Sequence, residues 1–254
     1  MNRLQGKTAI ITGATAGIGM STAIQMAASG VDLYLTGRRE EKLNQLKEDL
    51  ESRYGVNVTP AAFDIQDSDA CVKFVDSIDK PVDILVNNAG MAKGTDPVYS
   101  ASFDDWNTMI DTNIKGLLYL SRLISAQMKT RNAGHIINVG SIAGHESYPG
   151  GVVYTATKHA VKAITEATKK DLHGTKVRVS MVSPGLVETE FSEVRFSGDK
   201  EKADSVYKGM QPLVAQDIAE IILYIANRPD HVNIMDTIVF PVDQSSSTMV
   251  HRDE

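Results

Sequence analysis

The chain has 254 residues, 42 % of them apolar, which is enough to bury one large α/β core. A formal net charge of −6, with no cluster of Lys and Arg, argues against nucleic acid as the main partner. No apolar run approaches the roughly 20 residues that span a bilayer, and the first residues lack the apolar core of a secretory signal.

The first predicted strand, residues 7–12, runs into Gly13, Ala14, Thr15, Ala16, Gly17, Ile18 and Gly19, where a helix over 18–29 begins. Glycines let the backbone approach a pyrophosphate closely, and a helix N-terminus offers free N–H groups and a positive dipole end. The G-x-x-x-G-x-G spacing is not the commonest dinucleotide fingerprint, and glycine-rich turns also occur without a ligand. The second strand, 31–36, is followed by Gly37, Arg38 and Arg39 and a helix over 40–53. Sites that select NAD carry an acidic side chain at this strand end. Gly37 leaves that place empty, and a guanidinium can hold the extra 2′-phosphate of NADP by paired, charge-assisted bonds. Arg38 is the better placed of the two; the bland alternative is that both are solvated charges at a helix start.

A third strand over 56–63 ends at Asp64 and Ile65, placed to touch an adenine. The next helix, 68–79, carries the one cysteine, Cys71, among Val72, Phe74 and Val75, where it reads as a small buried apolar residue. A lone cysteine forms no internal disulfide framework and fits a reducing, cytoplasmic setting. The fourth strand, 82–87, leads to Asn88, Ala89 and Gly90, beside the expected adenosine ribose. Each of these pairs could equally be turn chemistry, but they fall at successive strand ends, along one edge.

A long helix is predicted over 105–130, with Trp106, Ile110, Leu117, Ile124 and Met128 on one face and the polar Asn113 interrupting it. A buried amide needs partners. The fifth strand, 135–141, ends at Ser141. On the following helix, 152–172, Tyr154 and Lys158 stand four apart and project from one face. Ala156, Ala160, Ala163 and Ala167 lie roughly opposite, a small-residue face suited to another helix of the same subunit or of a second one. A strand over 177–183, an irregular stretch at about 185–213, a helix over 216–226 and a strand over 237–242 complete the chain. The βαβ alternation predicts an α/β fold, a single doubly wound Rossmann domain over 1–254 with a parallel sheet and helices on both faces. The irregular stretch is expected to be a substrate lid at the carboxyl ends of the strands. Six histidines show no metal-ligand spacing, so no metal site is expected.

Carbonyl reduction needs a proton donor at the developing alkoxide, and alcohol oxidation needs a base at the hydroxyl. A tyrosine phenol titrates near 10, about three units above neutral, a gap of about 4 kcal/mol. One ammonium about 4 Å away, at an effective dielectric near 20, supplies on the order of that energy. Lys158 is therefore expected to depress Tyr154, Ser141 to hold the substrate oxygen, and Asn113 to hold a water linking Lys158 to solvent.

Taken together, residues 12–19 and 87–90, with Asn113, Ser141, Tyr154, Lys158, Pro184 and Gly185, resemble the short-chain dehydrogenase/reductase family over nearly the whole chain. That resemblance implies a strand order of 3-2-1-4-5-6-7, a catalytic Asn113, Ser141, Tyr154 and Lys158, and a nicotinamide lined by residues 184–189, with Pro184, Gly185, Val187 and Thr189 close to it. Residues 36–39, 111–116, 141–144, 148–151, 184–191 and 194–196 are similar to a narrower subgroup, the NADP-dependent 3-hydroxy acid dehydrogenases acting on serine, allo-threonine and related acids. Members of that subgroup tend to be tetramers, so a cytoplasmic homotetramer is expected. A substrate carboxylate in a partly closed site needs a cationic or multiple N–H partner. Of the lid bases, Arg195 is flanked by Val194 and Phe196, whereas Lys200 and Lys202 lie among acidic residues. Arg195 is the expected clamp, unless it merely pairs with Glu188, Glu190 or Glu193. The competing functions are a broad carbonyl reductase of neutral ketones and an NADP-binding regulator, which would have no use for the proton relay.

Overall fold

The computed structural model describes residues 1–253. Strands β1 (Thr8–Thr12), β2 (Asp32–Gly37), β3 (Val58–Ala62), β4 (Ile84–Asn87), β5 (Gly134–Val139) and β6 (Val177–Pro184) are joined by helices α1 (Gly17–Ala28), α2 (Glu40–Tyr54), α3 (Ser68–Asp76), α4 (Phe103–Ile110), α5 (Leu117–Arg131) and α6 (Val152–Asp171). Beyond them come β7 (Val187–Glu188), α7 (Glu190–Arg195), α8 (Lys200–Ser205), β8 (Leu213–Val214), α9 (Ala215–Ala226) and β9 (Asp236–Val239). The seven-stranded sheet has the order β3-β2-β1-β4-β5-β6-β9 with every neighbour parallel, the topology that the sequence resemblance implies.

Every residue of β1 is buried, as in a strand covered on both faces. Successive side chains point to opposite faces, so Ile10 and Ile11 enter different cores. Ile11, Leu33 and Leu35 pack with Met26 of α1, Leu43 of α2 and Ile222 of α9. Ile10, Tyr34 and Leu85 pack with Phe74 of α3 and Leu120 and Ile124 of α5. Parallel strands put all their carboxyl ends on one edge, and the order reverses between β1 and β4. That reversal opens a crevice there.

Three expectations are corrected. The helix expected over 105–130 starts at Phe103, capped by the Ser102 hydroxyl, and is interrupted by a π-helical turn at Asp111–Gly116. There Gly116 fits against Ile65, where a β-carbon would lie 2.9 Å from the Ile65 side chain. Asn113 lies within this turn, and π turns are frequent at functional sites. The stretch 185–213 is not irregular throughout. It holds two short helices, and β7 pairs in parallel with β8, Val187 beside Leu213, closing its base. Finally, the strands expected over 56–63 and 237–242 are shorter, since Val56, Asn57 and Phe63 flank the paired residues of β3 and Pro241 breaks the run after β9.

Candidate active site

A cleft of about 510 Å³ opens at the carboxyl ends of the strands. Its floor is the glycine loop after β1. Gly13 has a positive φ of 65°, and a β-carbon there would sit 3.0 Å from the Ala89 backbone. No side chain caps the start of α1 at Ala16, which leaves its first-turn N–H groups to face an anion. Thr15, Ala16, Gly17 and Ile18 line the cleft. Gly19 does not line it: it packs beneath, where a β-carbon would collide with the Gly13 carbonyl oxygen. Asn88 secures the loop from the side. Its amide donates to Thr12 O (2.8 Å) and Gly13 O (3.2 Å), and Thr12 Oγ1 accepts from the N–H groups of Asn88 and Ala89. Asn88 therefore supports the loop as well as facing the cleft beside Ala89 and Gly90.

At the β2 end, a β-carbon on Gly37 would lie 2.8 Å from Thr15 Cγ2. Any side chain there would have to displace the Thr15 side chain of the glycine loop. Arg38 and Arg39 both line the cleft and both are exposed. Among the described residues only Arg39 is engaged: its Nε and Nη2 donate to Thr15 Oγ1 (3.1 and 2.8 Å), and its Nη1 pairs with Glu190 at 2.7 Å. Asp64 and Ile65 lie along the same wall, and the Asp64 carboxylate also accepts from Gln66 N–H at 3.0 Å in a local turn.

Ser141, Tyr154 and Lys158 meet in the middle of the cleft. The Ser141 hydroxyl accepts from Ala143 N–H at 3.1 Å, which fixes it at the start of a short 3-10 turn, Ile142–Gly144. Tyr154 and Lys158 are buried on the first turns of α6, and Lys158 Nζ donates to Val139 O at 2.9 Å. Nζ lies 6.0 Å from the Tyr154 ring centroid. The expected depression of Tyr154 by Lys158 is absent in the protein alone. Burial pushes the phenol above its ordinary value, opposed by the Ser141 hydroxyl and the Arg195 guanidinium. The same burial lowers Lys158 to about 8. Desolvation by burial is the first cause of both shifts.

Asn113 is buried outside the cleft lining. Its oxygen accepts from Met91 N–H (2.8 Å), and its amide donates to Met91 O (2.8 Å) and Thr157 Oγ1 (3.0 Å). These bonds commit the side-chain amide to clamping the segment after β4 against α6, beside Lys158.

The lid forms the remaining wall. Pro184, Gly185, Val187 and Thr189 line the cleft, and Thr189 caps α7 while touching the position a Gly17 β-carbon would take, at 3.3 Å. Arg195 points inward, its Cζ 5.5 Å from the Tyr148 ring centroid and 5.8 Å from that of Tyr154. Its Nε reaches Gly94 O at 3.3 Å, and among the described residues no carboxylate pairs with it. Glu190, one of its alternative partners, is held instead by Arg39 and by Lys42 at 3.1 Å. Phe191 packs its ring 5.7 Å from that of Tyr154. Sequence reasoning missed Tyr148 and Phe191 as wall residues, and also Gln244 and Ser247 of the C-terminal segment. Gln244 is buried, accepts from Leu186 N–H at 2.8 Å and lies against Gly185. Only the aromatics beside Arg195 and after Ser141 offered any sequence signal.

A family description of "short chain dehydrogenase" matches residues 7–200. The chain is 46 % identical to an NADP-dependent 3-hydroxy acid dehydrogenase of Schizosaccharomyces pombe, across 99 % of both chains. It is 44 % identical to one of Escherichia coli, over 96 % of this chain and 98 % of that one. Among solved structures, the closed form of a serine dehydrogenase complexed with NADP+ matches with a TM-score of 0.91 and 43 % identity, over 97 % of this chain and 100 % of that one.

Proposed function

The chain belongs to the short-chain dehydrogenase family, and on that footing we propose that it is an NADP-dependent oxidoreductase acting between a small 3-hydroxy acid, or a hydroxy amino acid of the serine and allo-threonine type, and its 3-oxo product. The observation that carries the substrate class is Arg195, a cleft-facing guanidinium beside Tyr154 that no carboxylate among the described residues neutralises. The similarity to 3-hydroxy acid dehydrogenases supports the same reading.

The residues present fit NADP. Gly13 and Gly17 let the loop pack closely against Ala89 and Thr189, the uncapped start of α1 offers N–H groups to a pyrophosphate, Gly37 carries no acidic group of the kind found in NAD-selecting sites, and Arg38 and Arg39 offer cations to a 2′-phosphate. NADP, when bound, supplies or accepts the hydride. The protein then handles the proton. The buried Tyr154 phenol stays protonated, which suits it to donate to the substrate oxygen during reduction. In the oxidative direction the Tyr154 phenolate accepts the proton, stabilised by the Ser141 hydroxyl and the Arg195 guanidinium. Ser141 holds the same oxygen, Asn113 fixes the wall around Lys158, and Arg195 grips the carboxylate at two points.

Residues 1–254 act as one dinucleotide-binding and catalytic domain, with the lid at about 185–213. In α6 Ala156, Ala163 and Ala167 are exposed, as are Phe103 and Leu118 on the adjoining helices, a face suited to subunit contact in a cytoplasmic homotetramer. A monomer mass by light scattering at micromolar concentration would refute that assembly. Tyr148 and Phe191 favour a second reading, a carbonyl reductase of neutral ketones. An NADP-linked screen of 3-hydroxy acids, hydroxy amino acids and neutral alcohols decides between the two. Turnover of serine, allo-threonine or 3-hydroxy acids well above that of neutral alcohols is expected, and the reverse order would overturn the assignment.

A further inference from the structure

Glu190 begins the lid helix α7, yet its carboxylate reaches across the mouth of the cleft to α2. Oε2 takes Arg39 Nη1 at 2.7 Å and Oε1 takes Lys42 Nζ at 3.1 Å. The remaining contacts of Arg39 go to Thr15 of the glycine loop. The guanidinium is thereby fixed where β2 ends, in the wall that also contains Gly37 and Arg38. The strand end itself carries no acid, since Gly37 stands there packed against Thr15. The chain nonetheless places a carboxylate at that location, carried by the lid. We propose that Glu190 is a lid-borne counter-ion that competes with the 2′-phosphate of the cofactor for Arg39 and Lys42, so that holding NADP unties the first turn of α7 while holding NAD leaves it tied. The inference rests on the NADP reading above.

Three physical points support it. Hydrogen bonding to Arg39, and then to Lys42, holds the Glu190 carboxyl below the usual carboxylate range, so it is fully charged at neutral pH. A phosphate carrying nearly two negative charges and a carboxylate sharing two cations repel each other, and side chains this exposed can swing away. The rest of α7 has separate anchors: Ser192 bonds Tyr207 at 2.7 Å, and Arg195 O accepts from Gly94 N–H at 2.9 Å. Release at Glu190 thus loosens the start of the helix that bears Phe191 and Arg195 without detaching it. Linkage requires the converse as well: neutralising Glu190 must tighten ligands that carry a 2′-phosphate and leave others alone.

Calorimetric titration of the full chain with adenosine 2′,5′-bisphosphate and with 5′-AMP tests this without any turnover. Glu190→Gln is expected to tighten the bisphosphate about fivefold, the scale of an exposed ion pair, and to leave 5′-AMP unchanged. In an Arg39→Met/Lys42→Met background the same substitution should have no effect. Hydrogen exchange at residues 194 and 195, the first amides bonded within α7, should rise when the bisphosphate binds the unmodified chain, should not rise with 5′-AMP, and should already be high in Glu190→Gln. If Glu190→Gln weakens both ligands equally, Glu190 is a latch over the cofactor and the proposal is wrong. Bisphosphate and 5′-AMP affinities that are each unchanged by Glu190→Gln, with the bisphosphate still preferred, defeat the competition alone. No preference for the bisphosphate in the unmodified chain defeats the NADP reading, and the competition falls with it.

Discussion

The two walls of the cleft are built by different means. The strand-end wall is made of backbone and buried hydrogen bonds: the glycine loop, Thr12, Asn88, and the Asn113 clamp on Met91. The lid wall is made of short helices held by side chains, many of them exposed, such as Glu190, Arg39 and Lys42. Backbone geometry is common to every ligand that shares a pyrophosphate, whereas side chains can be exchanged without disturbing the sheet. Under the proposed function, cofactor and proton chemistry fall to the rigid wall and substrate choice to the adjustable one.

The largest expected effect lies on the rigid wall. Tyr154→Phe removes the proton donor and should cut turnover by about 10³-fold, while NADPH affinity measured by fluorescence titration stays within a few-fold. Retention of a tenth of the activity would mean that another group supplies the proton. Next is a matched pair of glycines. Gly19→Ala drives a methyl group into the Gly13 backbone, and overpacking of this kind costs roughly 1–3 kcal/mol. Both the melting temperature and dinucleotide affinity should fall. Gly198→Ala, in the lid, meets nothing within 4 Å and suffers only its positive φ of 89°, about 1–2 kcal/mol. It should leave dinucleotide affinity intact. Equal losses of affinity from the two would erase the distinction between the walls.

A third test addresses the lid alone. Arg195→Met should raise KM for hydroxy acids by about 10- to 100-fold, as loss of a charge-assisted bond implies, yet barely alter reduction of a small neutral ketone. Equal damage to both substrates would make Arg195 a support of the lid. The smallest effect is on stability. His135, on β5, is buried with Nε2 2.8 Å from Ser180 Oγ, and burial holds it well below the ordinary imidazole value. The folded chain therefore keeps His135 neutral where the unfolded chain protonates it. Stability should fall as pH drops below about 6.5, by at most about 1.4 kcal/mol per pH unit. Thermal melts of His135→Gln between pH 7 and 5 should show a flatter decline, and an unchanged slope would assign the acid sensitivity elsewhere.

The rigid wall was the legible one. Buried parallel strands leave apolar runs, and a glycine loop must follow the first of them, so β1 to β6 and the Ser141, Tyr154 and Lys158 positions could be read from local pattern. The π turn at Asp111–Gly116 could not, because it arises from Gly116 meeting Ile65 and Asn113 meeting Met91, contacts between distant segments. The charge relation of Tyr154 and Lys158 was misjudged because spacing on a helix says nothing about desolvation. On the lid, a run of charged residues gives no sign that Glu190 pairs across the cleft. Gln244 and Ser247 enter the wall only through the course of the C-terminal segment.

The division of labour is tested most directly by comparing one 3-hydroxy acid with its methyl ester in the unmodified enzyme, at saturating NADP. The two substrates share the reacting carbinol and differ in the charge that Arg195 would meet. A kcat/KM at least about tenfold higher for the acid is expected from one charge-assisted pair. An ester turned over as efficiently as the acid would contradict the assignment of substrate choice to the lid cation.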